Sequence, residues 1–94
     1  YSTTEDLYKW ERSFYTNTLL SEASKNAMFA PTVIMSDLVS QGYYGYGWYI
    51  DTDCERTRHV HAGGFSGFRA IIARYPSEQL VVIALSNTTG ASIE

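Results

Sequence analysis

Apolar residues recur with a helical period near the amino terminus of the chain. Leu7, Trp10 and Phe14 fall on one helical face, with charged residues between them. A hydroxyl residue precedes Glu5 by three positions, which is a capping-box pattern, and acidic residues follow where the positive end of a helix dipole favours them. The pattern predicts a helix over about residues 3–15.

A second, shorter helix is predicted over about residues 21–29. Ser21 is its candidate N-cap, and Pro31 marks its end because the residue before a proline is disfavoured in the helical region. Residues 32–42 mix apolar and polar positions without a clear period, which predicts a loop.

The rest of the chain predicts four strands, over about residues 43–50, 57–62, 68–75 and 80–86. Glycines between aromatic residues in the first of them are typical of a bent strand. A Pro-Ser-Glu-Gln segment is expected to connect the last two as a hairpin. The predicted fold class is α+β: two amino-terminal helices followed by an antiparallel sheet of three to four strands, in a single domain over residues 1–94.

The last predicted strand has a pattern of its own, because Leu80–Leu85 is apolar on both faces. A hairpin with one solvated face alternates apolar and polar residues, so both faces of this strand are expected to need cover. Two helices shield one face. The uncovered face predicts a homo-oligomer or a strand-exchanged dimer.

Composition narrows the classes of function. The 94 residues are 45% hydrophobic and 18% charged, which is typical of a globular domain. The net charge of −3, with scattered basic residues, argues against a nucleic-acid partner, since phosphate binding needs clustered Lys and Arg. The longest apolar run has the length of a strand, not of a membrane span. The single cysteine, Cys54, has no partner for a disulfide within the chain.

Six short patterns occur in a fixed order along the chain. They are an Asp6-Leu7-x-x-Trp10 helix, a short helix with Met28 and Pro31, Tyr44-Gly45-Tyr46-Gly47-Trp48, His61-Ala62-Gly63-Gly64, a Phe65-Ser66-Gly67-Phe68 turn, and, counted together as one pattern, the two strand endings Arg74-Tyr75-Pro76 and Leu85-Ser86-Asn87. In this order they resemble the serine beta-lactamase and penicillin-binding-protein-like hydrolases. The resemblance implies a carboxy-terminal segment of a beta-lactamase/transpeptidase-like fold.

The resemblance also implies a chemistry. The parent protein would be a serine hydrolase that cleaves an amide or ester bond of a small molecule or peptide, such as a beta-lactam, a D-amino-acid peptide or an ester, through an acyl-serine intermediate. His61 would occupy the third motif, and the backbone amide of Gly64 would serve the oxyanion hole. The implied substrate-binding residues are Ala62, Gly63, Gly64 and Tyr46. The resemblance implies no cofactor and no metal. Relatives are commonly extracytoplasmic, but the sequence itself does not assign a localisation to this chain.

One departure from the family pattern is decisive for the isolated chain. The family's nucleophile and base come from a Ser-x-x-Lys motif. The residues three positions before Lys9 and Lys25 are Asp6 and Glu22, so the motif is absent. Tyr15-Thr16-Asn17 matches the second motif in form, but it follows the first helix, whereas the family motif precedes it. The 94-residue chain alone is therefore expected to be inactive.

Two other classes of function fit the sequence. The chain would be a non-catalytic pseudoenzyme or self-associating module if the parent lacks the nucleophile. It would be a metal-binding protein if His59 and His61, which share one strand face, gained further ligands from Asp51, Asp53 or Cys54. The second class ranks lower, because the further ligands would come from a polar turn.

Overall fold

The computed structural model describes residues 1–36 and 41–92. Within them, the helices are α1 (Thr4–Arg12) and α2 (Glu22–Met28), with 3-10 turns at Ser13–Tyr15 and Pro76–Glu78. The strands are β1 (Val33–Ser36), β2 (Gln41–Tyr44), β3 (Tyr49–Asp53), β4 (Arg56–Phe65), β5 (Phe68–Tyr75) and β6 (Leu80–Ser86). They form one antiparallel sheet in chain order, from β1 to β6.

The predicted α+β class is confirmed, but the predicted strand count was too low. Residues 32–42 were expected to form a loop; β1 and the first half of β2 lie there, and residues 37–40 lie outside the described residues. The single strand predicted over 43–50 is two strands joined by a tight turn. Gly45 N–H donates to Trp48 O at 2.8 Å, and Gly47 has a φ of 81°, which favours glycine. The glycines in this segment therefore reverse the chain instead of bending one strand.

Hydroxyl caps begin both helices. The Thr3 side chain accepts a hydrogen bond from Asp6 N–H at 3.1 Å, so the N-cap of α1 is one residue later than a capping box that pairs Ser2 with Glu5. Ser21 caps α2 in the same way through Ser24 N–H. Lys25 of α2 is buried, and its ammonium donates to the backbone carbonyls of residues 14 and 16. This inward-facing cation was not predicted from the sequence.

Aromatic side chains join both helices to the sheet. Trp48 is 3% exposed, and its ring stacks on Trp10 of α1 with a centroid separation of 5.7 Å. Phe14 and Phe29 pack against the same indole, each with a centroid separation near 6 Å. The helices therefore cover one face of the sheet around Trp48. We call the buried set Trp48, Ile50, His59 and Arg74 the helix-covered cluster.

A buried ion pair joins α1 to this cluster. Glu11 of α1 is fully buried, and Arg74 of β5 is 3% exposed. Arg74 Nε donates to Glu11 Oε1 at 3.2 Å, and the guanidinium also lies over the rings of Phe14 and Phe29. Arg12 Nε lies 3.0 Å from Glu11 Oε2, without the alignment of a hydrogen bond. Since buried charges are costly unless paired, this contact fixes α1 on β5.

The last strand stays partly exposed. Leu80 and Val82 are 46% and 52% exposed, and Leu85 is 40% exposed. Val81 and Ile83, which alternate with them, are more buried and lie beside α1. No helix in the described part of the chain is long and apolar enough to cross a membrane.

Candidate functional site

Strand β4 has a free edge over its second half. Its pairing with β3 runs from Asp53↔Arg56 to Tyr49↔Val60 and ends there. The next residues, His61–Phe65, pair with β5 and with no other described strand. Backbone groups on the β3 side of this segment are therefore available to a ligand. We call His61–Phe65 the free β4 edge.

The turn that follows fixes which amides face outward. Ser66 and Gly67 form a two-residue connection, and Gly67 has a φ of 87°. The pair that closes such a turn, Phe65↔Phe68, exchanges both backbone hydrogen bonds. Alternation along the strand then turns the N–H of Gly64 away from β5. The N–H of Gly64, which is predicted to serve the oxyanion hole, therefore points to the side of β4 on which no described strand pairs.

Three of the predicted substrate-binding residues lie together. Ala62, Gly63 and Gly64 line an open groove of about 480 Å³ with Arg69 and residues 90–92. A Cβ on Gly64 would lie 3.2 Å from Arg69 Nη1, whereas one on Gly63 would meet no described atom within 4 Å. The guanidinium of Arg69 therefore lies over Gly64 and adds a positive charge to this groove.

His61 is half-buried between tyrosines of two neighbouring strands. Its Nε2 lies 3.5 Å from the Tyr44 hydroxyl, at the long limit of a hydrogen bond. The Tyr49 ring lies 5.5 Å from the imidazole, and Tyr44 and Tyr49 meet edge to face at 4.8 Å. The three rings form an aromatic group across β2, β3 and β4.

His59, two residues earlier on β4, has different surroundings. It is 7% exposed, and its ring stacks on Phe29 with a centroid separation of 4.4 Å. Arg74 Nη1 lies 3.1 Å from its Nδ1, and a guanidinium only donates, so Nδ1 must accept. Burial and then the charge of Arg74 lower the pKa of His59 to about 4. His59 is therefore neutral at pH 7, with its proton on Nε2.

The acidic residues near these histidines are already engaged. Arg58 donates to both oxygens of Asp51, at 2.9 and 2.6 Å. The Tyr75 hydroxyl donates to Asp53 at 2.7 Å, which lowers the pKa of that carboxyl and raises the pKa of Tyr75. Across the described residues, no group of three or more His, Cys, Asp or Glu side chains converges on one point. The arrangement gives the His59/His61 metal alternative no third ligand there.

A family model described as Beta-lactamase matches residues 1–92. The chain belongs to the beta-lactamase family. The resemblance drawn from the six sequence patterns is thereby confirmed, and with it the kinship to beta-lactamases and penicillin-binding proteins, a family of serine hydrolases.

Two relatives place the chain within this family. Penicillin-binding protein 4* of Bacillus subtilis (strain 168) is 32% identical over 87 residues, which are 92% of this chain and 19% of that protein. The crystal structure of a penicillin binding protein from Bacillus halodurans matches with a TM-score of 0.79 and 27% identity, over 94% of this chain and 27% of that chain. The chain therefore spans about a fifth to a quarter of the length of these relatives.

The residues predicted to form the site are only partly brought together. Ala62, Gly63 and Gly64 share the groove, whereas His61 precedes them on the strand and is not among the residues that line it. Tyr46 is 67% exposed in the turn between β2 and β3, where its N–H donates to the backbone of residue 28. Its role stays a prediction.

Three side chains near the site were missed in the sequence. Tyr44 and Tyr49 contact His61, and Arg69 lies beside Gly64. Both tyrosines lie in the aromatic run already noted, but only the folded structure tells which members of that run contact His61. Arg69 lies opposite Gly64 in the β4–β5 hairpin. The short Ser66-Gly67 turn in the sequence could have predicted this pairing.

Proposed function

We propose that the chain is the carboxy-terminal part of a serine hydrolase that cleaves an amide or ester bond through an acyl-serine intermediate. The observation that carries the proposal is the free β4 edge, where His61 and the outward N–H of Gly64 lie on one strand segment that pairs with β5 but not with β3. A substrate carbonyl can approach this edge as an added strand would, with its oxygen toward the backbone amide. The substrate, whether a beta-lactam, a D-amino-acid peptide or an ester, is that of the whole parent protein.

The Gly64 amide supplies one oxyanion donor in this proposal. Acyl transfer builds negative charge on the carbonyl oxygen, and preorganised N–H groups stabilise it. The hydrogen bonds of the β4–β5 hairpin hold the Gly64 backbone in place, which is the preorganisation required. Arg69, beside Gly64, strengthens the local positive potential.

His61 supplies the second contact. Its imidazole can donate to a substrate carboxylate or carbonyl oxygen, and it can assist proton transfer. The nucleophile and its base are not among these 94 residues, because Ser-x-x-Lys does not occur in them. The proposal therefore assigns the reactive serine to a segment of the parent protein beyond this chain.

The decisive experiment uses the full-length parent protein. Incubation with a fluorescent penicillin or a p-nitrophenyl ester, followed by peptide mapping, is expected to locate the acyl group on a serine outside the 94 residues. His61→Ala is expected to lower the acylation rate by about 10² or more. Ser66→Ala, in the exposed turn next to the free β4 edge, is the matched control and is expected to leave the rate unchanged.

Two results would overturn the proposal. The first is a parent that forms no covalent adduct with any of these substrates, which would favour a pseudoenzyme. The second is acylation that proceeds at full rate in His61→Ala. The isolated chain is expected to form no adduct, and an adduct on it would reveal a nucleophile within these residues.

A self-associating module is a second candidate, and the exposure of Leu80 and Val82 favours it. A row of exposed apolar side chains on an outer strand is typical of a surface that another protein chain covers. A dimer on size-exclusion chromatography with light scattering, abolished by Val82→Lys, is the expected outcome. A strictly monomeric chain at high concentration would count against this candidate.

A further inference from the structure

The Tyr44 hydroxyl is a polar group that the structure places next to the imidazole of His61. It lies 3.5 Å from Nε2, and the two residues belong to strands separated by β3. Tyr44 is held there by its cross-strand pairing with Tyr49, whose ring also contacts the imidazole. The hydroxyl therefore reaches Nε2 from a fixed backbone position.

The direction of this contact decides the chemistry of His61. A neutral imidazole has one N–H donor and one bare nitrogen, and a phenol has one proton to donate. The bare imidazole nitrogen is a stronger acceptor than a phenolic oxygen, and the phenol is the more acidic donor. The favoured arrangement is therefore O–H from Tyr44 to Nε2, which leaves the imidazole proton on Nδ1.

We propose that Tyr44 is a positioning residue that holds neutral His61 in the Nδ1–H tautomer. The nitrogen that does not face Tyr44 then presents an N–H donor at the free β4 edge. This proposal rests on the proposed function, in which that donor meets a carbonyl or carboxylate oxygen of the substrate. Hydrogen bonds of this kind are often long in the free enzyme and shorten when the substrate binds.

His59 provides an internal reference on the same strand. Arg74 donates to its Nδ1, so its proton belongs on Nε2. The structure thus assigns opposite tautomers to the two histidines of the chain. Aromatic packing alone would not do this, because ring contacts with Tyr44 and Tyr49 do not depend on which imidazole nitrogen carries the proton.

The test is nitrogen-15 NMR of the histidine-labelled chain at about pH 9, well above an ordinary histidine pKa of about 6.5. Two-bond proton–nitrogen spectra distinguish the tautomers. We expect His61 to be mainly Nδ1–H and His59 mainly Nε2–H. Tyr44→Phe keeps the ring and removes the hydroxyl, so it is expected to shift His61 toward Nε2–H. Tyr49→Phe is the matched control and is expected to leave the tautomer of His61 unchanged.

The proposal is overturned if His61 is mainly Nε2–H in the unmodified chain, or if Tyr44→Phe leaves its tautomer unchanged. The unmodified chain decides the first point even if the variant fails to fold, and the His59 signals report folding. In the parent protein, Tyr44→Phe is expected to lower kcat/KM roughly tenfold, the loss of about one hydrogen bond. A parent without activity would overturn the proposed function and leave the tautomer result standing.

Discussion

His59 and His61 lie two residues apart on β4, yet their surroundings have little in common. His59 belongs to the helix-covered cluster, stacked on Phe29 and contacted by Arg74. His61 begins the free β4 edge, where β3 no longer pairs with the strand and the nearest groups are tyrosines. The difference comes from what lies above the strand, not from the strand itself.

This contrast separates two tasks within one sheet. Around Arg74, helices bury aromatic rings and a charged pair, so that region holds the elements together. Along His61–Phe65, backbone and side-chain polar groups stay accessible. Binding and catalysis need accessible polar groups on a rigid support, and the covered region provides that support. Substitutions that remove stability and substitutions that remove activity should therefore fall in different places.

The largest effect on stability is expected from Glu11→Leu. This change leaves the buried guanidinium of Arg74 without its partner, and the expected loss is about 3–5 kcal/mol in the free energy of unfolding. Urea denaturation measures it. Glu5→Gln, at an exposed position of the same helix, is the control and is expected to cost less than about 1 kcal/mol. Similar losses for the two variants would mean that the helix-covered cluster is not where stability lies.

The next largest expected effect is a pH dependence of the free energy of unfolding, which is due to His59. Its folded pKa of about 4 lies below the ordinary value of 6.5, so the unfolded chain takes up the proton first as the pH falls. Its contribution to stability is complete above pH 6.5 and is lost progressively down to about pH 4. Over this pH range, the loss in the free energy of unfolding is on the order of 3 kcal/mol.

His59→Asn isolates this contribution, because the amide oxygen can still accept from Arg74 but does not titrate. The difference in unfolding free energy between the unmodified chain and this variant should therefore change between pH 7 and pH 4. A difference that stays constant over that range would show that His59 is not buried as a neutral group.

An effect of intermediate size on stability is expected from alanine substitution of two glycines, one in each region. A Cβ on Gly45 would collide with the Met28 carbonyl, whereas a Cβ on Gly63 meets no described atom within 4 Å. Gly45→Ala is therefore expected to cost about 1–3 kcal/mol, and Gly63→Ala less than about 0.5 kcal/mol. Thermal unfolding of the two variants checks this, and equal losses would place a packed neighbour over the free β4 edge.

The sequence predicted the helices and the β4–β5–β6 strands because each has a strong local signal. Hydroxyl caps mark the helix starts, and apolar runs mark the strands. The split of residues 43–50 into two strands was missed, because the contact of Gly45 with α2 that favours a turn is a tertiary one. Local periodicity does not contain that information.

The candidate site was predictable to the same extent. Continuous motifs gave His61, Ala62, Gly63 and Gly64, which one strand carries together. The partners of His61 come from β2 and β3, so they are identified only by side-chain contacts in the folded sheet. Tyr44 and Tyr46 are two positions apart in the sequence, but the turn that begins at Gly45 separates them. Tyr46 is exposed to solvent, whereas the Tyr44 hydroxyl contacts the imidazole of His61. The ion pair of Glu11 with Arg74 spans 63 positions and has no local signal.

The smallest effect is expected from the exposed pair of Arg56 and Glu78. Their charged atoms are 3.9 Å apart, and their side chains are 49% and 42% exposed, so water screens the attraction. Glu78→Gln is expected to change the unfolding free energy by less than about 0.5 kcal/mol, as measured by urea denaturation at low and high salt. Because this pair and the pair of Glu11 with Arg74 involve the same charged groups, they differ chiefly in burial. A loss comparable to that of Glu11→Leu would mean that burial by the helices does not decide which charges matter, and the contrast between the two regions of β4 would lose its physical basis.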